Sequence, residues 1–250
     1  TVAVGGGPSF IDASLNTLYV ANDFDFSNNN FSDTVSVIDP NTNNLIDNVT
    51  VGWGPNFIYE VGGALYVANE ASDTVSVIDP NTNNTVIDTI PVGLSPKWIS
   101  QFGGEGALYV ANSLSNNVSV IDPSNRSVVD TIKVGNEPNV IYSADNALYV
   151  TNSAPKSVSV IDPDRRTVVS IGVGRTPKSI SEAGDAIYVA NMDSNDVSVI
   201  DKTTNKVTDT IPVGENPSYI QSSGDALYVA NSGSNTVSVI NSTTNTIIKN

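Results

Sequence analysis

Oxygen-bearing side chains at alternate positions are what a calcium loop is built from, and one stretch of the chain supplies them: Asp23, Asp25 and Ser27, followed by Asn28 and Asn29. Hard cations of this kind are held by oxygen ligands spaced along a loop. The stretch lacks the glycine of the sixth loop position and the bidentate glutamate of the twelfth, where Asn28 and Thr34 stand. Calcium on Asp23, Asp25 and Ser27 is therefore an expectation resting on the first ligand positions alone, with a solvated acidic loop as its alternative. The same stretch carries Phe24, Phe26 and Phe31, and Trp53 follows between two glycines. Aromatic rings on loops expose apolar surface unless they cover or bind something. These four form a candidate platform for a glycan or a partner protein; the alternative is a loop that packs its own rings. Lys97 and Lys178 each follow a proline directly and together offer positive charge for a carboxylate or other anion, with Glu70, Glu137, Asp193 and Glu215 as competing ion-pair partners.

Catalytic chemistry is restricted by what is missing. The chain has no histidine and no cysteine, which removes the usual general base, the serine and cysteine triads, thiolate metal sites and disulfides. Carboxylate, lysine or tyrosine chemistry remains, as does a calcium-centred, lactonase-like site held by Asp, Asn and Glu. The six glutamates form no paired motif, and no nucleotide-binding loop or nucleophile elbow is present. No catalytic residue is assigned.

The elements that must position these residues come from a repeat. The pentapeptide Leu18-Tyr19-Val20-Ala21-Asn22 recurs at Leu65–Asn69, Leu108–Asn112, Leu148–Asn152, Ile187–Asn191 and Leu227–Asn231, with tyrosines 47, 43, 40, 39 and 40 residues apart. A second block, Val35-Ser36-Val37-Ile38-Asp39, follows each pentapeptide, ending at Asn241 in the last copy. A glycine and a proline three apart precede each one: Gly5 and Pro8, Gly52 and Pro55, Gly93 and Pro96, Gly135 and Pro138, Gly174 and Pro177, Gly214 and Pro217. Every unit holds four short β-branched or aromatic runs parted by Gly, Pro, Asn and Asp, the pattern of a four-stranded meander. In the second unit the runs predict strands over 56–60, 64–68, 74–78 and 85–92, with Asp79-Pro80-Asn81-Thr82-Asn83 as the third turn. Such units at this period predict an all-β, six-bladed propeller, a single domain over residues 1–250. Thr1–Val4 matches the end of the fourth strand written Thr89-Ile90-Pro91-Val92, so the first residues are expected to complete the last blade and close the ring.

Tyr149-Val150-Thr151-Asn152 is the literal YVTN signature and the other five copies read YVAN. With the Val-Ser-Val-Ile-Asp block and the Gly-x-x-Pro turn, the chain resembles the YVTN-repeat propellers of microbial surface-layer and other exported proteins. The resemblance implies an extracellular or cell-surface setting and carries over no catalytic residue. Residues common to all blades read as packing and turn residues, and function is sought where blades differ. The largest difference is the segment Asp23–Asp33, seven residues longer than its counterpart Glu70–Asp73.

Composition adds limits. Net charge is −15, which disfavours nucleic acid and anionic lipid surfaces. No run reaches the roughly 18 apolar residues of a membrane span, so direct membrane insertion is not expected. Asn30, Asn48, Asn83, Asn117, Asn125 and Asn241 each begin an Asn-x-Ser/Thr acceptor, as fits an exported protein. The sequence thus reads as a rigid interaction module whose partners are cell-surface proteins or glycans, the metal-dependent enzyme being the alternative.

Overall fold

A computed structural model describes residues 1–25, 29–103 and 106–249. The chain folds into six four-stranded antiparallel sheets, each a simple meander of strands A, B, C and D in chain order. Two compact units, Thr1–Ile132 and Lys133–Asn250, hold three of these blades each. Blade 2 shows the plan, with strands Pro55–Val61, Ala64–Asn69, Thr74–Asp79 and Thr85–Pro91, within a residue or two of the sequence expectation. Its third turn is a short 3₁₀ turn at Pro80–Thr82, where the Asp79 carboxylate accepts from the Asn81 amide at 2.8 Å. Asn83 and Asn84 then take left-handed backbone angles, φ 60° and 55°. Asparagine tolerates that conformation better than most residues, which accounts for part of its abundance here.

Alternation along strand B gives each blade two apolar faces. In the first unit Tyr19, Ala21, Val35 and Val37 of blade 1 pack against Ile58, Leu65, Val67 and Ile78 of blade 2. The same set in blade 2, Tyr66, Ala68, Val75 and Val77, covers Ile99, Leu108, Val110 and Ile121 of blade 3. The second unit repeats the arrangement through Tyr149, Val158 and Val160 onto Ile180, Ile187, Val189 and Ile200, and again onto the last blade. At about 1.5–3 kcal/mol for each fully buried Val, Leu or Ile side chain, these inter-blade seams hold each unit together. The signature tyrosine also tethers the next blade's third turn. The Tyr66 hydroxyl donates to the Pro123 carbonyl at 3.4 Å, and that of Tyr188 bonds the Ser242 carbonyl at 3.0 Å and Asn245 Oδ1 at 2.8 Å. Burial pushes the Tyr66, Tyr149 and Tyr188 hydroxyls above the ordinary tyrosine range.

The asparagine that ends the pentapeptide is equally committed. Asn69 Nδ2 bonds Ser76 Oγ at 2.9 Å and Thr74 Oγ1 at 3.1 Å, and Ser76 Oγ accepts the Gly52 amide at 3.3 Å. A Cβ on Gly52 would stand 2.8 Å from the Asn69 side chain, so the loop before Pro55 needs glycine at that point. The Asn, Ser and Gly common to every repeat therefore form one internal clasp per blade.

The last sheet takes its fourth strand from Thr246–Lys249, through the pairs Val239↔Lys249, Ile240↔Ile247 and Asn241↔Thr246. Thr1–Val4 forms no strand of its own, and Thr246–Lys249 pairs only with Val239–Asn241. Val237 is half-exposed, whereas Val35, Val75, Val118, Val158 and Val197 are fully buried.

Candidate binding site on the first unit

The long insertion of blade 1 is less a loop than a prolonged hairpin. Strand B runs Thr17–Asp25 and strand C runs Asn30–Asp39, with Phe24 opposite Phe31 and Asp25 opposite Asn30. The two rings meet edge to face, centroids 5.6 Å apart at 89°, and a cross-strand aromatic pair of this kind favours continuing the ladder. Asp23 and Asp25 accordingly sit on a strand; Phe26 and Ser27 lie outside the described residues. Phe24 is half-buried while Phe31 keeps much of its surface.

Neighbouring loops line up beside this hairpin. The Gly54 amide donates to the Ser32 carbonyl at 2.7 Å, and the Ala71 amide to the Trp53 carbonyl at 3.0 Å. In blade 3 the Leu114 amide donates to the Leu94 carbonyl at 3.1 Å. Four large apolar side chains on this hairpin and these loops face solvent: Phe31 at 44%, Trp53 at 55%, Leu94 at 50% and Leu114 at 68% exposure. Sequence reading picked out the two aromatics and missed the two leucines. Leu94 occupies the same position after the repeat glycine as Trp53, which was the available signal. In the second unit that position holds Asn136, Arg175 and Glu215, so its loops are polar where those of the first unit are apolar.

Inside this apolar row lies a polar cluster. It is built from the first residue after the pentapeptide in blades 1 and 2, Asp23 and Glu70, and the first after the proline in blades 2 and 3, Asn56 and Lys97. Pairing of Pro55 with Asn69 sets Asn56 beside Glu70. Lys97 forms an ion pair with Glu70 Oε1, whose same oxygen accepts from Ser95 Oγ at 3.2 Å. Asn56 Nδ2 donates to Glu70 Oε2 at 3.0 Å and to the Pro96 carbonyl at 3.2 Å. Burial raises the Asp23 carboxyl above the ordinary range, Glu70 adds to the rise, and Lys97 opposes it. Lys97 is thus paired with a carboxylate, as one of the two readings anticipated. Lys178 belongs to the second unit and has no hydrogen bond or ion pair among the described residues.

A ladder of rings comes from the residues immediately after Ser9, Asn56 and Lys97 on the three A strands. Phe10 and Phe57 have centroids 4.3 Å apart, and Phe57 and Trp98 4.1 Å. Phe57 is buried and the outer two are half-buried, as residues of an inter-blade core should be. The ladder stiffens the strands on which Asn56 and Lys97 stand. Among the described residues, no three or more Asp or Glu side chains gather as a metal cluster.

No family model and no curated protein sequence matches the chain. Solved structures do. A putative 6-phosphogluconolactonase from Bacteroides fragilis is 16% identical at a TM-score of 0.78, with 99% of this chain and 84% of that one covered. The dihydro-heme d1 dehydrogenase NirN is also 16% identical, TM-score 0.75, over 99% of this chain and 56% of that one. A computationally designed protein, Ika8, is 12% identical, TM-score 0.77, over 93% and 70%. At these identities the likeness carries the fold, a β-propeller of four-stranded blades, and no activity.

Proposed function

We propose that the chain is an extracellular or cell-surface propeller that works as a rigid interaction module and contacts a protein or glycan through the loop edge of its first unit. The observation that carries this reading is the row of exposed Phe31, Trp53, Leu94 and Leu114, the first on the hairpin of blade 1 and the others on loops that a stiff strand framework holds in place. Exposed apolar side chains gathered in this way mark contact surfaces more often than scattered ones do. The YVTN-like signature and the acidic, Asn-rich composition support the exported setting. A calcium-centred, lactonase-like activity gains no support from the likeness to a putative 6-phosphogluconolactonase, since an identity of 16% speaks only to fold.

The test compares the wild-type chain with a Trp53→Ser, Leu94→Ser, Leu114→Ser variant on arrays of secreted proteins and cell-surface polysaccharides. The reading expects contacts that the variant loses while its melting temperature stays near that of the wild type. Identical binding by both proteins would remove the first unit's edge from consideration.

A further inference from the structure

We infer that the cavity between blade 4 (Asn136–Gly172) and blade 5 (Pro177–Pro212) is a second binding site, for a neutral sugar residue. It lies wholly within the second unit and does not depend on the contact edge proposed above.

The signature tyrosine of blade 4 breaks the pattern of the others. In blades 2 and 5 the hydroxyl is spent on the third turn of the next blade, Tyr66 on the Pro123 carbonyl at 3.4 Å and Tyr188 on the Ser242 carbonyl at 3.0 Å and Asn245 Oδ1 at 2.8 Å. Tyr19 reaches Asn84 Oδ1 at 3.5 Å. Tyr149 is set as deeply, 2% exposed, yet its hydroxyl makes no hydrogen bond to any described residue. Asn205, the counterpart of Asn245, correspondingly has an Oδ1 with no donor among the described residues. A contact made in the next seam is unmade in this one. In its place is a cavity of about 360 Å³, walled by Tyr149 and by Lys202, Thr203 and Asn205 of the turn. That size falls within the roughly 300–1,000 Å³ of small-molecule pockets, and a buried polar group without a partner is uncommon.

The groups around the cavity narrow its occupant. Lys202 stands where four other blades have proline and the last has serine. Its ammonium pairs with Asp145 Oδ2 at 2.7 Å and with Glu182, so two of its three hydrogens are committed and one remains. The wall therefore offers donors, the Tyr149 hydroxyl and the last Lys202 hydrogen, beside acceptors, Asn205 Oδ1 and the other oxygen of Asp145. Asp145, Asp162 and Asp185 line the cavity and Glu182 borders it, against one ammonium. An anion is repelled, and a cation would face Lys202 and leave both donors idle. A hydroxyl group both gives and takes hydrogen bonds. A sugar carries several on a frame whose faces are apolar, and Ala144, Ala147 and the half-exposed Val169 supply apolar wall for that frame.

The experiment is an NMR titration of the full chain carrying isotope-labelled tyrosine, with Tyr149→Phe identifying the Tyr149 signal by its absence. The probes are the methyl glycosides of glucose, galactose, mannose and N-acetylglucosamine, with sodium glucuronate as the anionic and putrescine as the cationic control. A glycoside is expected to move the Tyr149 signal, and Tyr149→Phe to weaken its binding about threefold to tenfold in calorimetry, the scale of one neutral hydrogen bond. The same variant should melt where the wild type does, since its ring stays in the seam, whereas Tyr188→Phe, which deletes two hydrogen bonds, should melt lower. A Tyr149→Phe chain that melts as low as Tyr188→Phe would make the hydroxyl structural and overturn the site. A Tyr149 signal that no glycoside moves would overturn it too, leaving the cavity to water alone, and a response to putrescine or glucuronate in place of the glycosides would replace the sugar with an ion.

Discussion

Replacing Gly93 with alanine tests whether the repeat signature is architecture. A Cβ there would lie 2.8 Å from Cβ, Cγ and Nδ2 of Asn112, a side chain with no exposed surface. Asn112 has little freedom to retreat, because Nδ2 is held by Asn117 Oδ1 and Ser119 Oγ, each at 2.8 Å. Overpacking of this sort costs about 1–3 kcal/mol, and loosening the two hydrogen bonds adds about 0.5–1.5 kcal/mol each. The expected loss is about 2–6 kcal/mol. Gly172→Ala is the control: it lies on strand D of blade 4 with nothing within 4 Å of the new methyl. That change should be neutral or stabilise by about 0.5–1 kcal/mol, because alanine is less free than glycine in the unfolded chain. Combining Gly93→Ala with Asn112→Ala removes the clash, so the pair should be less harmful than the sum, by about 1–2 kcal/mol. Urea unfolding followed through Trp98, in the same blade as Gly93, measures all four proteins. If Gly93→Ala proves as harmless as Gly172→Ala, or if no coupling appears, the asparagine is not clamped on the glycine. The reading of the signature as structure would then be wrong.

Other expectations follow from the same geometry. Trp53→Ser, Leu94→Ser and Leu114→Ser should each change stability by no more than about 0.5 kcal/mol, as exposed positions do, while Phe57→Ala, in the ring ladder, should cost about 3–5 kcal/mol; calorimetry of the four variants separates contact surface from core. Because the folded chain holds the Asp23 proton more tightly than an ordinary carboxyl of pKa 3.8, ionising Asp23 costs stability. That contribution falls as pH rises from about 3.8 to the raised value and stays lower above it. Asp23→Asn removes the fall, so the variant should gain on the wild type across that interval and keep a constant lead at neutral pH, read as the difference between two melting-temperature profiles. Lys97→Met leaves Glu70 with Ser95 and Asn56 as its donors among the described residues. For a pair about a quarter to a third exposed, the expected cost is about 1 kcal/mol at low salt and less at high salt; insensitivity to salt would mean that the ion pair contributes nothing.

The strands and the inter-blade core were legible because they are written six times. Alternation puts Tyr66 and Ala68 on one face and Leu65 and Val67 on the other whatever their surroundings, and the Asp79 to Asn83 turn signals itself through proline and asparagine. The edge was legible only in part. Trp53 stands out as an exception to its repeat position, whereas Leu94 and Leu114 look like any other leucine, and their exposure depends on where the loops carry them. Phe24 and Phe31 were expected on a loop because nothing local announces that one ring two residues past the shared Asn22 and another four before the shared Val35 will pair across strands. The cluster of Asp23, Asn56, Glu70 and Lys97 lay within reach of repeat alignment, since the register that sets Pro55 opposite Asn69 holds in principle for every blade. What alignment does not give is the orientation of the Asn56 amide, whose Nδ2 faces Glu70 and the Pro96 carbonyl.

A division of labour follows from this. In each copy the shared asparagine spends its donors on the clasp, the shared tyrosine has its ring in the seam, and the shared glycine has no room to vary. Groups that every blade consumes internally are not free to meet a ligand. The residues left for recognition are those that follow the shared motifs, where the fold fixes the backbone but not the side chain. Asp23, Glu70, Asn56 and Lys97 occupy those positions in the first unit, and Ser153, Met192, Lys178 and Ser218 occupy them in the second. One framework thus presents two different edges, the first with the Glu70–Lys97 ion pair and exposed Phe31 and Trp53, the second with Arg175, Asp193, Glu215 and exposed Tyr219.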